Sequence, residues 1–129
     1  MTEEEKAISF ETLKHIINVR NLLDVAIHII TLRAKNHDTS KLEDPELVTF
    51  VKYTPKLAET TYGSDEYKQY LREMGPALEH HYAINRHHPE CFQELDSMNL
   101  FDVLEMLCDW MAVTKRHDDG DIMKSIEIN

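Results

Sequence analysis

Residues 9–36 read SFETLKHIINVRNLLDVAIHIITLRAKN, and His37-Asp38-Thr39-Ser40-Lys41 follows at once. Phe10, Leu13, Ile16, Val19, Leu22, Leu23, Ala26, Ile29, Ile30 and Arg33 fall at three- and four-residue steps, the period of one helix face. The pattern predicts a long helix from about Ser9 to Asn36, with 2–8 a short or frayed lead-in. His15 sits on the edge of the stripe and is expected to point inward. Asn18, Asn21, Asp24 and His28 lie mostly off it. Where the stripe stops, an imidazole and a carboxylate occupy adjacent positions, and together they can hold a divalent metal ion.

The rest of the chain supports a helical reading. Its 129 residues suit one domain, 1–129, long enough to bury a core. Three glycines and four prolines leave little room for the turns of a β fold. The fold class expected is all-α, a compact single-domain bundle of about five to six helices. A net charge of −10, with 14 scattered basic residues, argues against a nucleic-acid surface. It leaves open a small phosphorylated ligand whose charge a metal ion offsets. Cys91 and Cys108 form neither a zinc motif nor a disulfide framework, which points to a reducing, cytoplasmic setting. The N-terminus is acidic, without an apolar signal core. The apolar stretch around 22–32 is interrupted by Asp24 and His28 and is too short to span a bilayer, so no membrane partner is expected.

Outward from the His-Asp pair, 36–44 is a polar break. Asp44-Pro45-Glu46 reads as an N-cap, a first-turn proline and an acid at the positive helix end, opening a helix over about 45–53. Leu47, Phe50 and Val51 form its apolar face, and Thr54-Pro55 closes it. A loop over 54–63 ends at Tyr62-Gly63, and Ser64 caps a helix over about 65–74. Gly75-Pro76 then opens a helix over about 76–86. Asn99 caps a last helix over about 100–117, with Leu100, Val103, Leu104, Leu107 and Met111 as its core stripe. Asp118-Asp119-Gly120-Asp121 stops it, and the amphipathic tail 122–129 is too short to assign.

Two further constellations carry chemistry. Residues 79–90 place four of the eight histidines between 80 and 88. On a helix, His81, Asn85 and His88 share one face and His80 and His87 another, spacings suited to a metal or phosphate site. The plain alternative is a solvated polar helix. On the last helix Asp102, Glu105 and Asp109 line one face bordering the apolar stripe. Asp102 alone reads as solvated, whereas Asp109, between Leu107 and Met111, is costly to bury without a cation. Lys41 either pairs with Asp38, holds a phosphate or is a plain surface lysine. Met98, Met106 and Met111 read as packing. No Gly-rich phosphate loop, nucleophile elbow or His-Glu-x-x-His motif is present.

The order of His15, then His37-Asp38, then further histidines, then Asp109 resembles the HD-domain superfamily of metal-dependent phosphohydrolases. The resemblance implies that His15, His37, Asp38 and Asp109 hold one divalent metal, with His81 and His88 as candidates for a second. The chain is also similar, over nearly its whole length, to a small uncharacterised family of phages and bacteria. That similarity rests on His37-Asp-x-Ser-Lys41, Tyr62-Gly-Ser64, His80-His-Tyr82, Asn85-Arg-His-His-Pro-Glu90, Glu105-Met-x-x-Asp-Trp110 and Arg116-His-Asp-Asp-Gly-Asp121.

What the HD resemblance implies is hydrolysis of a phosphoester, of a nucleotide-like small molecule, in a bacterial or phage-infected cytoplasm. The metal lowers the pKa of a bound water and neutralises phosphate charge. Lys41, Asn85, Arg86 and His87 are the expected substrate-binding residues. Asp38 is catalytic, with Glu105 or a histidine of 80–88 moving the proton. Mixed His/Asp ligation suits Mn, Fe, Mg or Co, as one or two ions. A non-catalytic metal-containing protein that sequesters a nucleotide or signal, or inhibits a host protein, is the alternative. A structural domain with pH-responsive histidines is the third reading.

Overall fold

A computed structural model describes residues 1–115 and Met123. The protein is all-α: the described residues form five α-helices, three short 3-10 turns and their connections, with no strand among them. The chain divides into two compact units, Met1–Lys35 and Asn36–Asn129.

The first unit is helical almost throughout. Helix α1 (Glu3–Asn36) runs unbroken for 34 residues, so the expected lead-in is part of the helix. Glu3, Glu4 and Glu5 sit in its first turn and Arg33 and Lys35 in its last, each matching the helix dipole. None of its residues is buried. His15, expected to point inward, lies on this helix with Phe10, Leu13 and Leu22 of the apolar stripe. The apolar stretch around 22–32 was expected to be too short to span a bilayer, but the helix that carries it is long and apolar enough to cross one, by length and composition only.

The second unit holds the other four helices. Helix α2 (Leu47–Glu59) starts later and ends later than its sequence signals suggest. Its N-cap is Glu46 rather than Asp44, because Glu43 to Glu46 close a turn, with the Glu46 and Leu47 amides donating to the Glu43 carbonyl. Pro55 lies inside the helix. It has no amide to give the Val51 carbonyl, and Val51 is an exposed residue of the helix.

Helix α3 (Asp65–Glu73) begins as expected, with Ser64 Oγ accepting from the Tyr67 amide at 3.2 Å. Helix α4 (Gly75–Ile84) stops before the second half of the histidine run. Asn85 is extended beyond its end, and His88 is extended ahead of Pro89, the backbone that a following proline imposes. His81, Asn85 and His88 therefore do not share a helix face. His87 and His88 lie on a turn that folds back toward α4.

Helix α5 (Leu100–Thr114) opens with a capping box: Asn99 Oδ1 accepts from the Asp102 amide, and Asp102 Oδ2 accepts from the Asn99 amide. Its buried residues are Asp102 and Met106, while Leu100, Leu104 and Met111 of the expected core stripe are exposed. The Asp102 carboxylate also accepts two bonds from the Arg86 guanidinium. That pairing turns the 102/106 side of the helix inward. The expected stop at 118–121 and, apart from Met123, the tail 122–129 lie outside the described residues.

Among the described residues, Tyr53, Met74, Ala77 and Met106 are the buried apolar ones, beside the buried ionisable Glu46, His81, His87 and Asp102. Asn99→Ala should lower the unfolding free energy by about 1 kcal/mol, the usual cost of losing an N-cap. Urea denaturation at constant m-value measures it, and an unchanged midpoint would show the capping box to be without energetic weight.

Candidate metal centre

Asp38 is the hub of the second unit's polar interior. It adopts the left-handed conformation, φ 54° and ψ 13°, directly after α1. Aspartate tolerates this better than most residues. The 3-10 turn Thr39–Leu42 follows, closed by the Lys41 amide donating to the Asp38 carbonyl at 3.0 Å. Three residues on, Lys41 Nζ reaches Asp38 Oδ2 at 2.6 Å. The other oxygen, Asp38 Oδ1, faces Nε2 of both His81 and His87 at 3.3 Å. His88 Nε2 lies 2.9 Å from His81 Nε2.

Four donor groups from three segments thus converge: Asp38, His81, His87 and His88. Donors that share one ion at about 2.1 Å sit about 3.0 Å apart at octahedral edges and about 3.4 Å apart at tetrahedral ones. The separations of 2.9 and 3.3 Å lie at or within that range.

A second set adjoins the first. His37 Nδ1 bonds Glu105 Oε1 at 2.9 Å, and its Nε2 faces Asp109 Oδ1 at 3.6 Å and Asp38 Oδ2 at 3.7 Å. Glu105 Oε1 also lies 3.1 Å from His87 Nδ1. His37, Asp38 and Asp109 form one potential ion-holding group, and His37, His87 and Glu105 another. The imidazoles pack face to edge or tilted, with ring centroids 4.5 Å apart for His37 and His87 and 4.1 Å for His87 and His88.

Electrostatics favour a cation here. Among the described residues, the buried side-chain polar atoms without a hydrogen bond are Asp38 Oδ1 and both ring nitrogens of His87. His87 is 1% exposed. Leaving such groups unmatched costs about 1–3 kcal/mol each, and all three atoms border the candidate donor groups. Burial pushes the Asp38 carboxyl up, but His81, His87 and Lys41 outweigh it and hold the group well below the usual carboxylate range. Burial, then the neighbouring His87 and His81, lower His88 to about 3. His88 is therefore a neutral imidazole at ordinary pH, the form that ligates metal.

The structure thus brings together His37, Asp38, His81, His88, Glu105 and Asp109, all named from the sequence. His15 belongs to the first unit. Other assignments change. His87, expected to steady a phosphate, is buried in the donor cluster. Arg86, expected to do the same, is engaged on Asp102 as a structural pair. Asn85 donates to Ser40 Oγ at 3.0 Å and to the His81 carbonyl at 2.9 Å, and so braces the cluster. Asp102, aligned with Glu105 and Asp109 in sequence, serves the α5 cap.

Glu46 was missed. Its carboxylate is fully buried and bonds His80 Nδ1 at 2.7 Å, His81 Nδ1 at 2.9 Å and Ser40 Oγ at 3.0 Å. Burial raises its pKa, and these three partners together lower it below the ordinary value. An acid beside a helix-opening proline is commonplace, so no sequence signal set it apart.

Residues 4–129 match the model of a family described as "Family of unknown function (DUF5662)", and the chain belongs to that family. No curated protein and no solved structure matches the chain.

Substituting His87→Leu separates the cost of the cluster from its use. Without metal the variant should be less stable than the wild type, because Asp38 and Glu105 lose the imidazole that faces them. The rise in melting temperature that Mn(II) or Co(II) gives the wild type should vanish. That rise reflects about 2.7 kcal/mol when the ion is at a hundred times its Kd. Scanning calorimetry with and without EDTA reads both effects.

Proposed function

We propose that this family member is a metal-dependent phosphohydrolase of HD type, acting on a phosphoester of a nucleotide-like small molecule in a bacterial or phage-infected cytoplasm. The observation that carries the reading is Asp38, which shares one potential ion-holding group with His81, His87 and His88 and another with His37 and Asp109. A His-Asp dipeptide meeting a late-helix aspartate is the arrangement that the HD resemblance implies.

Asp38, His81, His87 and His88 would hold the ion, with His37 and Asp109 beside them for a second. Three imidazoles to one carboxylate favour Mn, Fe or Co over Mg, which prefers oxygen donors. Once bound, such an ion polarises a phosphoryl oxygen and makes water a better nucleophile.

The chain's own residues do the rest. His81 and His87 form a dry floor, each 1% exposed, and His37, Lys41 and Asp109 form a partly open rim. The Lys41 ammonium offers the rim a positive charge in a chain whose net charge would repel phosphate. Glu105 orients His37 through Nδ1, which leaves Nε2 facing the rim. With a single ion bound, the His37 and Glu105 pair is then placed to accept or return a proton.

Purified protein with Mn(II) or Co(II) should hydrolyse members of a panel of nucleotides and a generic phosphodiester. Asp38→Asn keeps a residue that tolerates the left-handed backbone and should lower turnover at least about a hundredfold. Stoichiometric metal with no turnover across the panel would instead support a sequestering protein. Absence of bound metal would remove both readings.

A further inference from the structure

Glu46 lies behind the donor cluster, and the protein has built a closed hydrogen-bond set around it. Its Oε2 meets His81 Nδ1 at 2.9 Å and Ser40 Oγ at 3.0 Å, while Oε1 meets His80 Nδ1 at 2.7 Å. Counting hydrogens fixes their placement. Asn85 Nδ2 has two, one given to Ser40 Oγ and one to the His81 carbonyl. Ser40 has one hydroxyl hydrogen, given to Glu46 Oε2.

Glu46 as a carboxylate only accepts. Asn85 Nδ2 also lies 3.1 Å from His81 Nδ1, and Ser40 Oγ 3.3 Å from it, but both have spent their hydrogens elsewhere. The bond between His81 and Glu46 therefore uses a hydrogen on His81 Nδ1.

From this we infer that Glu46 is a positioning residue for the centre: it holds His81 with Nδ1 protonated, so that Nε2 presents its lone pair beside Asp38 Oδ1 and His88 Nε2. The inference rests on the metal reading above and adds to it the group that sets the ligand's tautomer. Imidazole ligands with a carboxylate behind them are fixed in orientation and made more basic, and losing such a partner typically weakens metal binding about 10–100-fold. Ser40 and Asn85 hold the carboxylate and the ring in register. His80, 40% exposed, takes the other oxygen and shares its charge without joining the donors.

The test uses the full chain labelled with 15N-histidine, with Zn(II) as the diamagnetic probe. Long-range proton–nitrogen correlation should show His81 protonated on Nδ1 in the metal-free protein and ligating through Nε2 after Zn(II) is added. Glu46→Ala should weaken Zn(II) affinity by about 10–100-fold in calorimetric titration and lose the single tautomer. Glu46→Gln retains an acceptor and should restore the tautomer while recovering only part of the affinity. A role limited to packing would lower the melting temperature of both variants and move neither readout.

Ligation of Zn(II) through His81 Nδ1 overturns the inference, as does a Glu46→Ala protein that binds within threefold of wild type. A wild-type protein that takes up neither Zn(II), Mn(II) nor Co(II) overturns the metal reading itself, and the positioning role with it.

Discussion

The second unit buries charge-bearing groups where a small domain ordinarily buries hydrocarbon. Its largest fully buried side chains are Met74, His81, His87, Glu46 and Asp102. A carboxylate or an imidazole taken out of water must recover its lost hydration from partners. Each of these groups therefore dictates the position of others. Asp102 requires Arg86 and the α5 cap. Glu46 requires Ser40, His80 and His81. The constraint passes from residue to residue until it reaches Asp38 Oδ1 and His87, which have no hydrogen-bond partner among the described residues.

That incompleteness distinguishes the cluster from the rest of the interior. The Asp102 pair is internally satisfied and works as architecture. The atoms left unmatched around Asp38 face one another across distances that suit a shared cation. Backbone geometry supports the same division of labour. The left-handed turn at Asp38 aims its carboxylate between α4 and the turn after it, and the early end of α4 lets His87 and His88 return to it.

Several elements were legible in the sequence because their signals are local. Ser64 and Asn99 cap helices as their side chains dictate, and the three-four periodicity of 10–33 does form a helix. The pairing of His37-Asp38 with Asp109 could be anticipated from residue order together with a family resemblance. Signals that compete with tertiary contacts were misread. Pro55 reads as a stop, yet one missing amide is tolerated. The apolar stripe of α5 reads as core, yet Asp102 and its arginine decide which side faces in. Glu46 reads as a helix-end acid, yet three partners distant along the chain or turned toward it make it interior.

The sequence by itself determined the helical class, most helix starts and the residue types able to hold a divalent ion. These follow from short-range rules of backbone propensity, capping and donor chemistry. Only the tertiary structure decided which histidines converge, that Arg86 and Asp102 belong to the scaffold, and that Glu46 stands behind His81. Those outcomes depend on where the chain turns back at Asp38 and Asn85. The bonds of Glu46 to His80 and of His37 to Glu105 join residues 34 and 68 positions apart, beyond the reach of any local pattern.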